Sequence, residues 1–334
     1  MAQSNDARFS RNFFIEILQA DGSRFVFPCG AGKYRATVQI REGGAPYKSN
    51  CDITIYGLSW AKLNQLSYLI TNPLTEIDKR NKVKIWVGGD KVGDEIWGSQ
   101  LAFQAESYFC AADFTPAPNI AFRIVGAVGY YADTDSAGLG FTINKGMTLK
   151  QAFNIIVKEM GWNNVFFRGK SAEEISNTVL EKDYLEAPTW YQRANDLANM
   201  FNLQINFSDY NILIAKHGES LYDDLPFDIN SENGLISYPT FTNDGVSFRA
   251  LYDTRIKLYH KVKLKSTVPY ISGNYVQNVT FAQQENMSYA NTYSYVDNEY
   301  IIAEKISTLS SEPNGQWQTE YRAFYANGAE FKNI

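Results

Sequence analysis

Residues 244–265, DGVSFRALYDTRIKLYHKVKLK, alternate apolar and polar side chains with a period of two, and no other stretch constrains the fold as tightly. Val246, Phe248, Ala250 and Tyr252 share one face, with Ser247, Arg249 and Leu251 opposite. Ile256, Leu258, His260, Val262 and Leu264 share the next face, and Lys257, Tyr259, Lys261, Lys263 and Lys265 take the other. Successive side chains of a strand point to opposite sides, so the pattern predicts two half-buried strands rather than a helix. Asp253, Thr254 and Arg255 are few enough to join them as a hairpin, and Pro269 and Gly273 end the pair.

The same alternation recurs towards the N-terminus. Strands are expected at 13–18, 24–27, 34–41, 51–56, 82–87, 101–109 and 119–125. One helix interrupts them at 59–70: Ser59 caps it, Trp60, Leu63, Leu66, Leu69 and Ile70 form its apolar stripe, and Thr71-Asn72-Pro73 stops it. The small polar run 132–139 marks a boundary. Beyond it the pattern changes to helices. Thr148 caps a helix with Leu149, Ala152, Phe153, Ile156 and Met160 on one face, and Gly161 ends it. A strand at 163–168 follows, then capping-box spacings from Ser171 to Glu174 and from Thr189 to Gln192. The second of these opens a helix with Ala194, Leu197, Ala198 and Phe201 inside. Residues 203–207 and 211–216 form a hairpin around Ser208-Asp209-Tyr210, and the acidic stretch 218–230 is read as a linker. The last strands, 300–309 and 316–325, flank a turn cluster that ends in Asn314-Gly315. No direct repeat links the first and last β regions.

The 334 residues suffice for two or three domains, and Tyr (22) and Phe (21) are over-represented. That excess fits either a β-rich core or large protein–protein contacts. The net charge of −5 lacks the basic footprint of a nucleic-acid binder. No apolar run approaches the roughly 20 residues of a membrane span, so no stable membrane insertion is expected, and the N-terminus carries no signal-peptide core. Cys29, Cys51 and Cys110 are odd in number and widely spaced, which argues against a disulfide framework. They are read as buried core cysteines, with a shared site as the alternative.

Candidate chemistry is sparse. His217 sits at a strand end beside Gly218, as an exposed turn histidine. His260 lies on an apolar face and is read as buried and hydrogen-bonded rather than as a switch. Gly88-Gly89 reads as a turn, and neither it nor Gly138 and Gly140 matches a phosphate-binding motif. Asp223-Asp224 and Glu173-Glu174 have ordinary explanations in solvation and the helix dipole. Lys257, Lys261, Lys263 and Lys265 form a solvated face or a charge-protected edge, with contact to an acidic partner or passing DNA as the alternative. No catalytic or metal-binding spacing occurs, so no catalytic, cofactor or metal residue is named, no cofactor is expected, and the chain is read as non-enzymatic. No partner-binding residue is named either.

One resemblance covers most of the chain. The order Gly234-Leu235-Ile236, Pro239-Thr240, "DGVSF", "LY" and "VPYISGNY" resembles the C-terminal part of baseplate hub proteins of contractile-tailed bacteriophages, of the Mu and T-even type. Residues 51–73, 110–125 and 300–325 match in the same order, whereas 276–299 is longer and more polar than the family pattern. The resemblance implies an α+β, mainly β fold. Two tube-like antiparallel β-barrel domains, 1–135 and 223–334, would flank a small α/β domain, 136–222. It further implies a homotrimeric ring in the virion tail baseplate, assembled in the host cytoplasm. Such a ring adapts the sixfold tail tube, or its initiator, to a threefold puncturing spike. It touches other baseplate proteins and surrounds a channel through which DNA passes without specific binding. The chain ends at Ile334 without a β-helix repeat, which favours a separate trimeric spike partner. The alternatives are a hub of a tailocin or type VI secretion-like apparatus, and a tail protein that binds or hydrolyses cell-wall polymer.

Overall fold

The computed structural model describes residues 11–44, 47–69, 81–92, 95–134, 143–183, 188–242, 245–264 and 298–326. The N-terminal block contains β1 (Phe13–Leu18), β2 (Arg24–Cys29), β3 (Arg35–Gly43), β4 (Asn50–Tyr56), α1 (Trp60–Leu66), β5 (Tyr68–Leu69) and β6 (Lys82–Val87). It continues through β7 (Asp90–Val92), β8 (Glu95–Trp97), β9 (Gln100–Asp113), β10 (Ala121–Ala127) and α2 (Tyr130–Thr134). A helical block follows: α3 (Leu149–Glu159), β11 (Asn164–Phe167), α4 (Ala172–Asn177), α5 (Trp190–Met200), β12 (Leu203–Ser208) and β13 (Asn211–Lys216). The C-terminal block comprises β14 (Phe227–Ile229), β15 (Thr240–Thr242), β16 (Gly245–Leu251), β17 (Lys261–Leu264), β18 (Asn298–Ser310) and β19 (Trp317–Tyr325). The protein is mainly β.

Strands from both ends of the chain form one sheet in the order β15-β16-β19-β18-β3-β4-β10-β9-β6-β1-β2. The junction is β18. One of its edges pairs with β19 from Tyr300 to Leu309, across a register shift between Ile302 and Glu304. Its other edge changes partner at that shift: Asn298–Ile301 pair with β17, and Glu304–Ser310 pair with β3. The helical block has its own sheet, β11-β13-β12, and its α3 and α5 share a continuous apolar core with the N-terminal strands. A second core lies under β16, β17, β18 and β19.

The strong alternations become the strands they predict. Ala36, Val38 and Ile40 of β3, and Cys51, Ile53 and Ile55 of β4, point inward and are buried. In the C-terminal block Phe248 and Tyr321 are direct cross-strand neighbours with rings stacked 5.0 Å apart. Ser307 and Thr319, also opposite each other, share a buried hydroxyl hydrogen bond of 2.9 Å. The α3 cap forms as a full capping box between Thr148 and Gln151, and Gly161 follows the helix with φ +68. The β12–β13 hairpin turns through Asp209 and Tyr210, both with positive φ (50 and 59), the geometry of a tight primed turn.

Other expectations are corrected. There is no hairpin at 253–255: β16 pairs with β15 and β19, and β17 with β14 and β18. Residues 256–260 are not strand, although Ile256, Leu258 and His260 are buried. Asp253 closes a local turn by accepting the Arg255 N–H at 2.9 Å. Tyr259 then adopts φ +60 and is itself buried, so it does not share the lysine face. Its N–H donates to the Ile302 carbonyl, and its own carbonyl accepts from Leu221. The helix at 59–70 ends at Leu66, and Tyr68–Leu69 becomes β5, paired with β9. Ser171 makes no cap bond, because its hydroxyl donates to Glu219 instead, at 2.7 Å. Residues 218–230 are not a loose linker. Leu221 is buried, and β14 pairs in parallel with β17. Pro269, Gly273, Thr71-Asn72-Pro73, Lys265 and most of 276–299 lie outside the described residues.

Two stability predictions follow from the junction. Lys305 of β18 is 4% exposed and meets Glu42 of β3 at 2.7 Å. Removing one partner of a buried pair strands the other charge, at a cost of ~3 kcal/mol. Glu42→Ala is therefore expected to lower unfolding stability by that order in denaturant titration, and the Glu42→Leu/Lys305→Met double variant by less. His260 is buried, with Nδ1 3.2 Å from the Arg255 carbonyl and Nε2 unpartnered among the described residues. Around it lie the Tyr222 ring, Asp224, Lys257 and Lys305. Burial holds its pKa below the ordinary 6.5. The unfolded chain therefore binds a proton first, so stability declines as pH falls below about 6.5 and levels off below the folded value. His260→Gln is expected to flatten that slope in acid titration followed by circular dichroism. An unchanged slope would contradict it.

Candidate functional site

The residues singled out in the sequence do not gather into one reactive centre. Cys29, Cys51 and Cys110 are each fully buried, and burial pushes the Cys29 and Cys51 thiols well above their usual range. Among the described residues no group of His, Cys, Asp and Glu is placed to share a metal ion. His217 is exposed, and its ring stacks on Phe324 at 4.9 Å. His260 is at the β18 junction, and its Nε2 is buried without a hydrogen-bond partner among the described residues. Lys261 pairs with Glu299 at 3.3 Å, and Lys257 lies over the Tyr222 ring. Glu173 and Glu174 occupy the first turn of α4, and Asp223 faces Arg168 at 3.9 Å. Gly88 and Gly89 form a turn. A side chain at Gly89 would sit 2.2 Å from the Trp97 carbonyl oxygen.

What the fold presents instead is an exposed aromatic surface and a cleft. At one end of the N-terminal block, Gly57 (φ +84) turns the chain from β4 into α1, whose Ser59 cap accepts the Lys62 N–H. This sets Trp60, 60% exposed, against Phe114, 54% exposed, with rings stacked 5.8 Å apart. Lys62 reaches Tyr34 Oη at 3.1 Å, and the Arg35 guanidinium lies 4.1 Å from the centre of the Tyr56 ring. Exposed aromatics beside cations supply apolar, π and charge contacts to a partner. The sequence reading placed Trp60 in the core stripe of α1. At 3.6 residues per turn Trp60 and Leu66 are about 120° apart, so only Leu63 and Leu66 face inward.

A second surface is a cleft of about 840 Å³ where the three blocks meet. It is bordered by the end of β3, the start of β12, and the point where β18 changes partner. Nothing in the periodicity marks it, because it is made by segments far apart in the chain.

Comparison with solved structures finds the same fold in phage tail proteins. A tail protein from Neisseria meningitidis MC58 superposes with a TM-score of 0.59 at 11% identity, covering 93% of this chain and 96% of that one. The 43 kDa tail protein of prophage MuSo2 from Shewanella oneidensis gives 0.54 at 8% identity, covering 94% and 98%. A type VI secretion component from E. coli, itself similar to bacteriophage T4 tail proteins gp27 and gp5, gives 0.50 at 6% identity, covering 88% and 74%. A sequence search of curated proteins finds no match. The family profile described as baseplate hub gp41 matches residues 33–302, a span that runs from just before β3 into the first part of β18. The chain belongs to the baseplate hub gp41 family and is a component of the virion tail baseplate.

Proposed function

We propose that three copies of this chain close into a ring that adapts the sixfold tail tube to a threefold puncturing spike. Each copy would contribute two tube-like β domains, 1–135 and 223–334, with the α/β domain 136–222 between them. Six such domains then face the tube, and the opposite side of the ring seats a trimeric spike. The observation that carries this reading is the single sheet built from both ends of the chain, whose terminal strands differ: β15 at one end and β2 at the other. A contact between these two unlike ends would be head to tail, and a head-to-tail contact that closes gives a ring rather than a two-fold dimer. A ring also covers edge strands that would otherwise invite aggregation. The role is architectural, without catalysis. The net charge of −5 suits a wall along which DNA phosphates slide without binding.

A hub of a related contractile injection apparatus is the second reading, favoured by the likeness to the type VI secretion component. Both readings require the ring.

Light scattering decides between ring and monomer. The chain weighs 37.8 kDa, and three copies per particle are expected, as three times that mass for the chain alone or with the mass of a spike trimer added when it is co-expressed with the spike protein of the same phage. A single-chain mass in both preparations, with no complex formed, would overturn the proposal.

A further inference from the structure

Among the described residues the most exposed large apolar side chain is Leu225, at 89%. It projects from a loop that is pinned on both sides: Leu221 and Ile229 are buried, and β14 is tied to β17. Pro226 fixes its own φ and restricts the residue before it, so little ordering is left for a partner to impose. Residues 219–232 hold five acidic residues, Glu219, Asp223, Asp224, Asp228 and Glu232, and no basic one. Arg168 faces Asp223 only across 3.9 Å, between largely exposed groups, and Asp224 makes no ion pair among the described residues. The loop is an apolar knob with negative charge beside it.

An open depression of about 700 Å³ lies against β2, the terminal strand of the joined sheet. Pro28, Tyr34 and Tyr56 give it apolar walls, Lys33 and Arg35 give it charge, and no carboxylate lines it. Lys62 reaches it through Tyr34 Oη at 3.1 Å. Arg35 is engaged by Glu312 at 3.4 Å, whereas Lys33 and Lys62 have no carboxylate partner among the described residues. The lining residues are exposed or half-buried, so a partner can reach them. Because Leu225 is exposed, the depression of its own copy does not hold it.

We propose that Asp223, Asp224 and Leu225 of one copy dock in this depression on the next copy, with Leu225 against the Tyr34 and Tyr56 rings and the carboxylates on Lys33 and Lys62. Knob and depression are unlike surfaces, so the contact is head to tail, and it joins the C-terminal block of one copy to the N-terminal block of its neighbour. It presupposes the ring proposed above and names residues that select the neighbour. One loop covers less than the roughly 1,200 Å² of a stable interface, so the charges set register and choice of neighbour within a wider contact. DNA is disfavoured as the occupant, because the chain carries a net charge of −5 and lacks the long basic stripe that tracks a phosphate backbone.

The test follows the mass of the full chain by light scattering across a dilution series, in the preparation that gives three copies per particle. Lys33→Glu/Lys62→Glu and Asp223→Lys/Asp224→Lys are each expected to raise the midpoint concentration of the trimer about tenfold or more, because attraction becomes repulsion. All four changes in one chain should restore it, since every knob again meets the opposite charge. Leu225→Ser should also raise the midpoint about tenfold, the scale of one buried leucine. Thermal melts establish that each variant folds. A trimer indifferent to both reversals or to Leu225→Ser, or a folded four-change variant that stays dissociated, would overturn the proposal and leave the ring reading intact. A single-chain mass of the unaltered protein in every preparation would remove the ring reading, and this contact with it. Lysine reversals that spare the trimer but abolish DNA retention in a mobility-shift assay would assign the depression to nucleic acid and overturn the proposal.

Discussion

The whole architecture depends on one strand serving two partners along a single edge. β18 has 13 residues and so spans about 44 Å at ~3.4 Å each. Only the first four residues, Asn298–Ile301, pair with β17, and Glu304–Ser310 are offered to β3. The change happens at a register shift, where an irregular residue lets a strand bend and twist. Tyr259 and His260 secure that point from the other side: Tyr259 N–H donates to the Ile302 carbonyl, and Ile302 N–H donates to the His260 carbonyl. Without this arrangement the N-terminal and C-terminal strands would be two separate sheets.

Charge is placed inside the sheet only where it is matched. Lys305 meets Glu42 across the β18–β3 junction, and Glu16, buried in β1, accepts from Arg24 at 2.5 Å and from Trp86 at 2.7 Å. Such pairs add little net stability compared with apolar residues of similar size. They do penalise a slipped register, because a one-residue shift would turn each charge to the wrong face. Large tail assemblies need the same geometry in every copy, and a register fixed by matched charges answers that need.

Much of the fold was legible because one-sided burial writes itself as a period of two. The ten longer strands of the two β blocks were readable from Phe13 to Tyr325, as were the Thr148 and Thr189 caps. Failures came where a tertiary contact imitated or overrode a local pattern. Ile256, Leu258 and His260 alternate inward without a strand ladder, because Tyr259 is turned through positive φ by its bond to Ile302. Ser171 has the spacing of a cap but is claimed by Glu219, 48 residues away. The short strands β5, β14 and β15 carry too few residues to show any period. Family membership was legible from the collinear order of the matching stretches. The surfaces were not, because Trp60 meets Phe114, and β12 and β3 come to border one cleft, only after folding.

The junction also sets an order of events. Glu304 and Gly43 are partners in the ladder yet lie about 260 residues apart in the chain, and contacts of such separation form late. During synthesis β3 leaves the ribosome long before β18 exists. Until then its open edge has no native neighbour, and the C-terminal block has nothing to attach to. A chain interrupted before β18 therefore lacks one entire side of the joined sheet, however well its first block folds. Completion of the polypeptide becomes the condition for the joined sheet, because a copy that stops before β18 has no strand to link its two ends.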